Sequence, residues 1–452
     1  MWGFVDTTVI FKAYDIRGTY PDQLNERMAR AMGSAFGLFA AAPRVVVARD
    51  MRPSGCSLGA AFCEGVRAVG VEVLDLGLAS TDFLYFASGH LDAPGAMFTA
   101  SHNPAQYNGI KLCLAGAKPI GADTGLVEIE TLTNKLYREP AEGSLAPTAE
   151  IDLLAAWVQH VHSFVDLANL RPLKIVADTA NGMGGYIVPP IFADLPFEVE
   201  IMYGELDGTF PNHPADPLNP ANLQDLQRRV LEVGADVGLA FDGDADRVFV
   251  IDEKAQPLSG STTTAMVAAA MIRRHPGATV LYNLICSKAV PEVVAERGGV
   301  GLRTRVGHSY IKQVMAESGA VFGGEHSGHY YFRENYCADS GIIAALAVLE
   351  LLSEASVPLS QLAEPFVRYA GSGEINTEVA NPAATVRSLA TRLRAPGVVL
   401  DELDGLSADY GSWWFNLRPS NTEPLLRLNV EAADEMTCQQ HVSEVLALIK
   451  EI

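Results

Sequence analysis

Residues 237–251 read Val237-Gly-Leu-Ala-Phe-Asp242-Gly-Asp244-Ala-Asp246-Arg247-Val-Phe-Val-Ile251. Two apolar runs flank three carboxylates at alternate positions. In so short a span these charges repel one another unless a cation sits between them, and hard oxygen ligands select Mg2+ or Ca2+ over zinc. The flanks then decide the fold. A calcium-binding helix–loop–helix needs glycine at the sixth loop position, but Arg247 stands there and Val-Phe-Val-Ile continues as a strand, although Glu253 does fall at the twelfth position. The stretch predicts strand, acidic loop, strand, with the loop at a strand end where α/β sheets place their ligands. A solvated acidic turn is the plainer alternative.

Outward from this loop, β-branched runs alternate with alanine-rich stretches. Strands are expected at 44–48, 71–75 and 96–99 with a helix near 58–69, then at 173–178, 197–202 and 237–240 with a helix near 222–233. The unit returns with strands at 279–283, near 301 and at 320–323, and a helix from Ser309. Such alternation predicts three α/β domains with mostly parallel mixed sheets. The C-terminal part differs. Strands at 375–379, 413–417 and 425–430, with helices near 384–393 and 435–449, predict a smaller α+β domain with an antiparallel sheet. The expected domains are 1–145, 146–251, 252–362 and 363–452.

The chain has 452 residues, enough for about three or four domains at roughly 150 residues each. Its 33 Lys+Arg against 54 Asp+Glu leave a net charge of −21, which repels nucleic acid and anionic membranes as a whole. A phosphorylated metabolite would need positive charge gathered locally. The most apolar run, 341–352, is interrupted by Glu350 and falls short of a membrane span. The start, Met1-Trp-Gly-Phe-Val-Asp6, lacks the basic and apolar regions of a secretory signal. Six cysteines without any C-x-x-C pair argue against a disulfide framework or zinc site and fit a reducing cytoplasm.

Three further polar motifs sit at expected strand ends. In Thr99-Ala-Ser101-His102-Asn-Pro104, followed by Tyr107-Asn-Gly-Ile-Lys111, a hydroxyl between His102 and Lys111 is a candidate nucleophile or phosphorylated residue. Taken alone, such a serine more often caps a helix. In Gly323-Gly-Glu325-His-Ser327-Gly-His329, Glu325 and Ser327 suit adjacent sugar hydroxyls, since one carboxylate accepts from both members of a diol. His329 and the separate His308 are candidate proton carriers near neutral pH, although a lone histidine is more often packing or surface. In Arg418-Pro-Ser420-Asn421-Thr422-Glu-Pro424, with Arg427 beyond, a guanidinium fork and neutral donors suit a phosphate dianion. An ordinary Asn/Ser/Pro turn is the alternative there.

In order and spacing, these four motifs resemble the α-D-phosphohexomutase superfamily, bacterial phosphomannomutase/phosphoglucomutase type. The resemblance runs from Lys12-Ala-Tyr14-Asp-Ile-Arg17-Gly18 to the Arg418 loop and covers nearly the whole chain. It implies four domains around a central cleft and a phosphoryl group carried by Ser101, with Mg2+ held by Ser101, Asp242, Asp244 and Asp246. Arg247 and Lys111 would flank that phosphoryl group, with His102 beside it, and Tyr14 and Arg17 would border the cleft. Glu325 and Ser327 would read the sugar; Arg418, Ser420, Asn421 and Thr422 would grip the substrate's own phosphate. Lys111, His308 and His329 are the candidate bases.

The implied reaction interconverts mannose 6-phosphate and mannose 1-phosphate through a hexose 1,6-bisphosphate, glucose phosphates also being accepted. The implied protein is a monomer or weak homodimer with no nucleic-acid or membrane partner. One departure is Ile285, where relatives often carry lysine; Lys288 is a possible substitute. Phosphoglucosamine mutases often carry Gln at the position of His326, which weighs against glucosamine. A phosphoglucomutase of the same superfamily, an aspartyl-phosphate phosphatase beginning at Asp242-x-Asp244, and a non-catalytic sugar-phosphate sensor are the alternatives.

Overall fold

The computed structural model describes residues 7–419 and 425–452. Four sheets follow one another along the chain, and each β-branched run of the sequence becomes a strand of one of them. The first has seven strands. Its centre, Gly95–Phe98, Arg44–Arg49 and Glu72–Leu78, is parallel, and Tyr107–Leu114 joins antiparallel on one side. Thr148–Glu150 adds in parallel to the far edge, so this sheet runs past the domain boundary expected at 145. That short polar strand has no apolar run to announce it.

The second sheet orders Val248–Asp252, Val237–Phe241, Lys174–Asp178 and Glu198–Met202, with the acidic loop at its one antiparallel hairpin. The third orders Val300–Thr304, Thr279–Asn283, Phe322–Gly324 and Tyr330–Phe332; here too the polar loop falls within the antiparallel pair. The fourth sheet is antiparallel throughout, from Ala370–Glu378 to Val399–Asp401. Three mixed α/β units and a smaller α+β unit therefore match the expected architecture.

Packing divides these four units unequally. One continuous apolar core joins the first three, drawing on Val46, Phe83, Trp157, Ile175, Val237, Met266 and Leu346. The fourth unit has a core of its own around Leu389, Phe415, Leu428 and Val442. Its seam with the third unit is polar: Lys288 Nζ meets Asp409 at 2.7 Å, the Lys288 amide donates to Glu431 at 2.9 Å, and Arg303 pairs with Asp401. Apart from Glu350 and its last two residues, the helix Gly341–Glu354 is apolar all round, as suits a helix buried in the shared core. Among the described residues no single helix is long and apolar enough to cross a membrane; it reaches that length only together with Leu359–Phe366, across a 103° bend.

Candidate active site

Ser101 leaves the strand Gly95–Phe98 in a left-handed conformation, φ +50°, a region costly for a residue with a Cβ. Its amide donates to Thr99 Oγ1 at 2.9 Å, and its hydroxyl donates to Asp242 Oδ2 at 2.8 Å. Arg247 Nη2 donates back to Ser101 Oγ at 2.9 Å. The first and second units thus meet at one serine oxygen. The approach is tight enough that a Cβ at Gly243 would lie 2.4 Å from the Ser101 carbonyl oxygen, which only glycine avoids.

The acidic loop turns at Ala245, φ +59°, and brings Asp242, Asp244 and Asp246 together, with one oxygen of each within 4.8 Å of the others. All three are buried. Lys111 Nζ reaches Asp244 at 2.7 Å and Asp246 at 2.6 Å, Arg247 Nε reaches Asp242 at 2.9 Å, and Thr81 Oγ1 donates to Asp244 at 2.6 Å. Three carboxylates against two cations leave an excess negative charge in the interior. Asp244 Oδ1 and Asp246 Oδ1 are buried with no hydrogen-bond partner among the described residues. Orphaned hard oxygens facing a charge deficit fit a divalent cation.

The like charges also split the titrations. Burial pushes Asp242 up to about 7, against the pull of Arg247. At Asp244 burial is outweighed by Lys111, whose ammonium holds the carboxyl well below the usual range. Burial works against the charge on Lys111 as well, yet Asp244 and Asp246 raise it well above its ordinary value. Burial, then the charges of Arg247 and Arg17, push His102 well below its ordinary value, leaving a neutral ring. Its Nδ1 lies 2.5 Å from Arg247 Nη2 and 3.2 Å from Ser101 Oγ.

The third-unit loop closes over this centre. Arg247 and His329 form a backbone bridge between the two loops. His329 Nε2 stands 3.6 Å from Asp246 and 3.8 Å from Asp339, and its Nδ1 lies 3.1 Å from Ser327 Oγ. Glu325 is buried and accepts from Asn283 Nδ2 at 3.0 Å, Gly307 N at 3.1 Å and Tyr331 Oη at 2.6 Å. A sugar diol must therefore share or displace these donors. Arg17 is bound to Asn103 and, at 2.5 Å, to Asp15, so it stands beside the Ser101 loop. Tyr14 donates to Val306 O at 3.5 Å, the outer limit of a hydrogen bond, and packs edge-on against Tyr310.

In the fourth unit Arg418 holds Glu374 at 2.7 Å, and Arg427 approaches the same carboxylate at 3.4 Å. Ser420, Asn421 and Thr422 lie outside the described residues, as does the side chain of His308, which opens the helix His308–Ser318. Lys288, the possible substitute for a lysine at 285, pairs with Asp409 and donates to Gly411 O at 3.0 Å, while Ile285 is buried. Thr81, Asn283 and Tyr331 touch the key carboxylates but were not among the sequence candidates. Their only sequence signal is a position at a strand end for Asn283, at a helix start after the Ser80 cap for Thr81, and inside a short apolar run indistinguishable from core for Tyr331.

Comparison with known proteins agrees with this architecture unit by unit. "Phosphoglucomutase/phosphomannomutase, alpha/beta/alpha domain I" matches residues 8–139, domain II residues 155–256, domain III residues 259–369, and the family's C-terminal domain residues 374–448. A protein of Xanthomonas campestris described as "Phosphohexose mutases" is 40% identical over 447 residues, 98% of this chain and 100% of its own. A phosphomannomutase of Salmonella typhimurium is 38% identical over 450 residues, 98% of this chain and 99% of its own. The crystal structure of a phosphoglucomutase/phosphomannomutase family protein from Burkholderia thailandensis superposes with a TM-score of 0.91 at 30% identity, covering 99% of this chain and 98% of that one.

Fold and relatives together define a phosphohexomutase, an isomerase that transfers phosphate intramolecularly. The chain belongs to the phosphoglucomutase/phosphomannomutase family.

Proposed function

We propose that this phosphohexomutase interconverts mannose 6-phosphate and mannose 1-phosphate, and also acts on glucose phosphates, through phosphorylated Ser101 and a hexose 1,6-bisphosphate. The observation that carries the reading is the placement of Ser101 Oγ between Asp242 and Arg247, beside an acidic cluster with orphaned oxygens. Bound Mg2+, held by Asp242, Asp244, Asp246 and the Ser101 phosphoryl group, would neutralise charge on the transferring group.

The chain's own residues do the rest. A free hydroxyl of the hexose phosphate attacks the Ser101 phosphoryl group; the P–Oγ bond breaks, a new P–O bond forms, and the hydroxyl proton passes to a base. The bisphosphate then turns over in the cleft; Ser101 Oγ attacks the other phosphate, the bond from that phosphorus to the sugar oxygen breaks, and the base returns its proton to the departing oxygen. Arg247, already on Ser101 Oγ, stabilises the charge of the transfer. Lys111, with its ammonium held by two carboxylates, is suited to charge stabilisation and not to accepting a proton. We assign the base to His329, which borders both the acidic loop and Ser327.

Neutral His102 accepts from Arg247 and orients it. Arg418 and Arg427, with Ser420, Asn421 and Thr422, hold the substrate's remaining phosphate. The same reading makes the enzyme a cytoplasmic monomer or weak homodimer working on free hexose phosphates.

The test is a paired assay on mannose 1-phosphate and glucose 1-phosphate with a trace of hexose 1,6-bisphosphate, coupled to phosphopeptide mapping. Turnover of both sugars with label on Ser101 is expected. Label on Asp242 and none on Ser101 would establish aspartyl-phosphate chemistry instead, and binding without turnover would establish a sensor.

A further inference from the structure

Arg52 takes part in none of the contacts described so far, yet it is almost completely buried, at 1% exposure, directly beneath the Ser101 loop. Its guanidinium gathers four backbone carbonyls of that loop. Nη2 donates to Ser101 O at 2.8 Å and to Asn103 O at 2.6 Å, while Nη1 donates to Pro104 O and Tyr107 O, both at 2.9 Å. Asp50, also buried, lies 3.3 Å from Nε and accepts from the Arg52 amide at 2.9 Å, so it balances the charge and fixes the stem. Phe210 of the second unit covers the guanidinium at 5.2 Å from its ring centroid. Gly208 comes so close that a Cβ there would lie 2.6 Å from Arg52 Cα.

Elementary geometry gives this arrangement a purpose. A loop with four carbonyls turned to one guanidinium is held in a single conformation, and here that conformation points Ser101 Oγ to Asp242 and Arg247. Ser101 also sits in a strained backbone conformation that persists only where its surroundings over-determine it. A planar fork with five donors can bind four converging carbonyls at once; an ammonium with three donors on a flexible stem cannot.

We propose that Arg52 is the positioning residue of phosphoryl transfer, holding the Ser101 loop so that the serine oxygen meets the acidic loop and Arg247. It touches no substrate. The inference rests on the reading of Ser101 as the phosphorylated residue.

Full-length Arg52→Met and Arg52→Lys are the test. Readouts are kcat and KM for hexose phosphate, the rate at which hexose 1,6-bisphosphate labels Ser101, and the 31P chemical shift of the phosphoserine. A misplaced nucleophile should lower kcat and the labelling rate together, on the order of 10²-fold in Arg52→Met, with KM changed less than about twofold. Arg52→Lys keeps the charge and loses the fork, so it should label slowly and show a displaced 31P shift even if the methionine variant fails to fold. A lysine variant that labels at the wild-type rate with an unmoved 31P shift overturns the role of Arg52 while leaving the phosphoserine reading intact. Wild-type enzyme that never carries label on Ser101 overturns both.

Discussion

In the proposed reading the substrate cleft has two ends, and they handle charge in opposite ways. At the transfer end Lys111 and Arg247 are buried and bonded to Asp244, Asp246 and Asp242, so the field that a phosphoryl group meets is built into the fold. At the gripping end Arg418 and Arg427 share Glu374, and Arg427 is about one-third exposed. Under that reading Glu374 occupies them as a substrate phosphate would, and the phosphate has to displace it. Preorganised charge favours a transition state because nothing reorganises at the moment of reaction. A replaceable surface ion pair contributes little energy and comes apart easily. The contrast fits a substrate that must present first one phosphate and then the other to a single fixed serine.

The sharpest way to break this comparison is at the fixed end. Ser101→Ala should lower turnover by about 10⁴-fold or more while thermal stability stays close to wild type, read by steady-state assay and calorimetry. Asp244→Asn should lower it by roughly 10²–10³-fold with the fold retained. Chelator-treated wild type should lose activity and regain it with Mg2+; full activity after chelation would remove the metal from residues 242–246. Next in size, Glu325→Ala should reduce turnover of mannose and glucose phosphates about equally. It should also destabilise the protein by about 1–3 kcal/mol, because it leaves the Asn283, Gly307 and Tyr331 donors unpaired in the interior. Loss of one epimer alone would show that this carboxylate reads C2.

At the replaceable end the expected effect is small and of opposite sign. Glu374→Gln removes the competing carboxylate, so KM for hexose phosphate should fall by roughly two- to fivefold at unchanged kcat. An unchanged KM would mean that Arg418 and Arg427 do not meet substrate.

A pair away from the transfer centre calibrates the scale. His213 meets Asp178 at 3.0 Å, and although burial opposes its charge, the bond to Asp178 raises it above the ordinary histidine value. A raised histidine contributes stability that is complete below the unfolded value near 6.5 and is lost as pH rises through the folded one. Wild type should therefore exceed His213→Gln by roughly 1.5 kcal/mol at pH 6, with the gap closing as pH rises through the raised folded value, measured by denaturant titration.

The sequence reveals what is carried by runs and little of what is carried by convergence. Strand–helix alternation and the four polar loops are consecutive in the chain, so the architecture and the candidacy of Ser101, Asp242, Asp244, Asp246 and Glu325 were legible from spacing and residue type, while the role of Arg247 came only with the family resemblance. Arg52, Thr81, Asn283 and Tyr331 were not, because each acts on a residue or loop distant in sequence or, for Tyr331, hides in a core-like apolar run; Thr81 and Asp244 are separated by 163 positions. Thr148–Glu150 escaped for another reason: a three-residue polar strand at a sheet edge has no hydrophobic pattern to show. Lys288 was a reasonable substitute for position 285 on paper, and its pairing with Asp409 became visible only with the fourth unit in place.

The unequal division of the core also bears on how the chain comes off the ribosome. The apolar cluster shared by the first three units draws on residues from Val46 to Ala363, while the core of the fourth unit begins at Leu389. Domains generally fold as units during synthesis, the N-terminal part first. Here the helix Leu154–His162 and the strand Val248–Asp252 of the second unit wait for the helix Gly341–Glu354 that packs on them, which emerges more than two-thirds of the way along the chain. The fourth unit then closes on itself without waiting for any distant partner. The long interval of uncovered surface falls on the unit that carries the acidic loop, so it is this unit that would depend most on protection during biosynthesis.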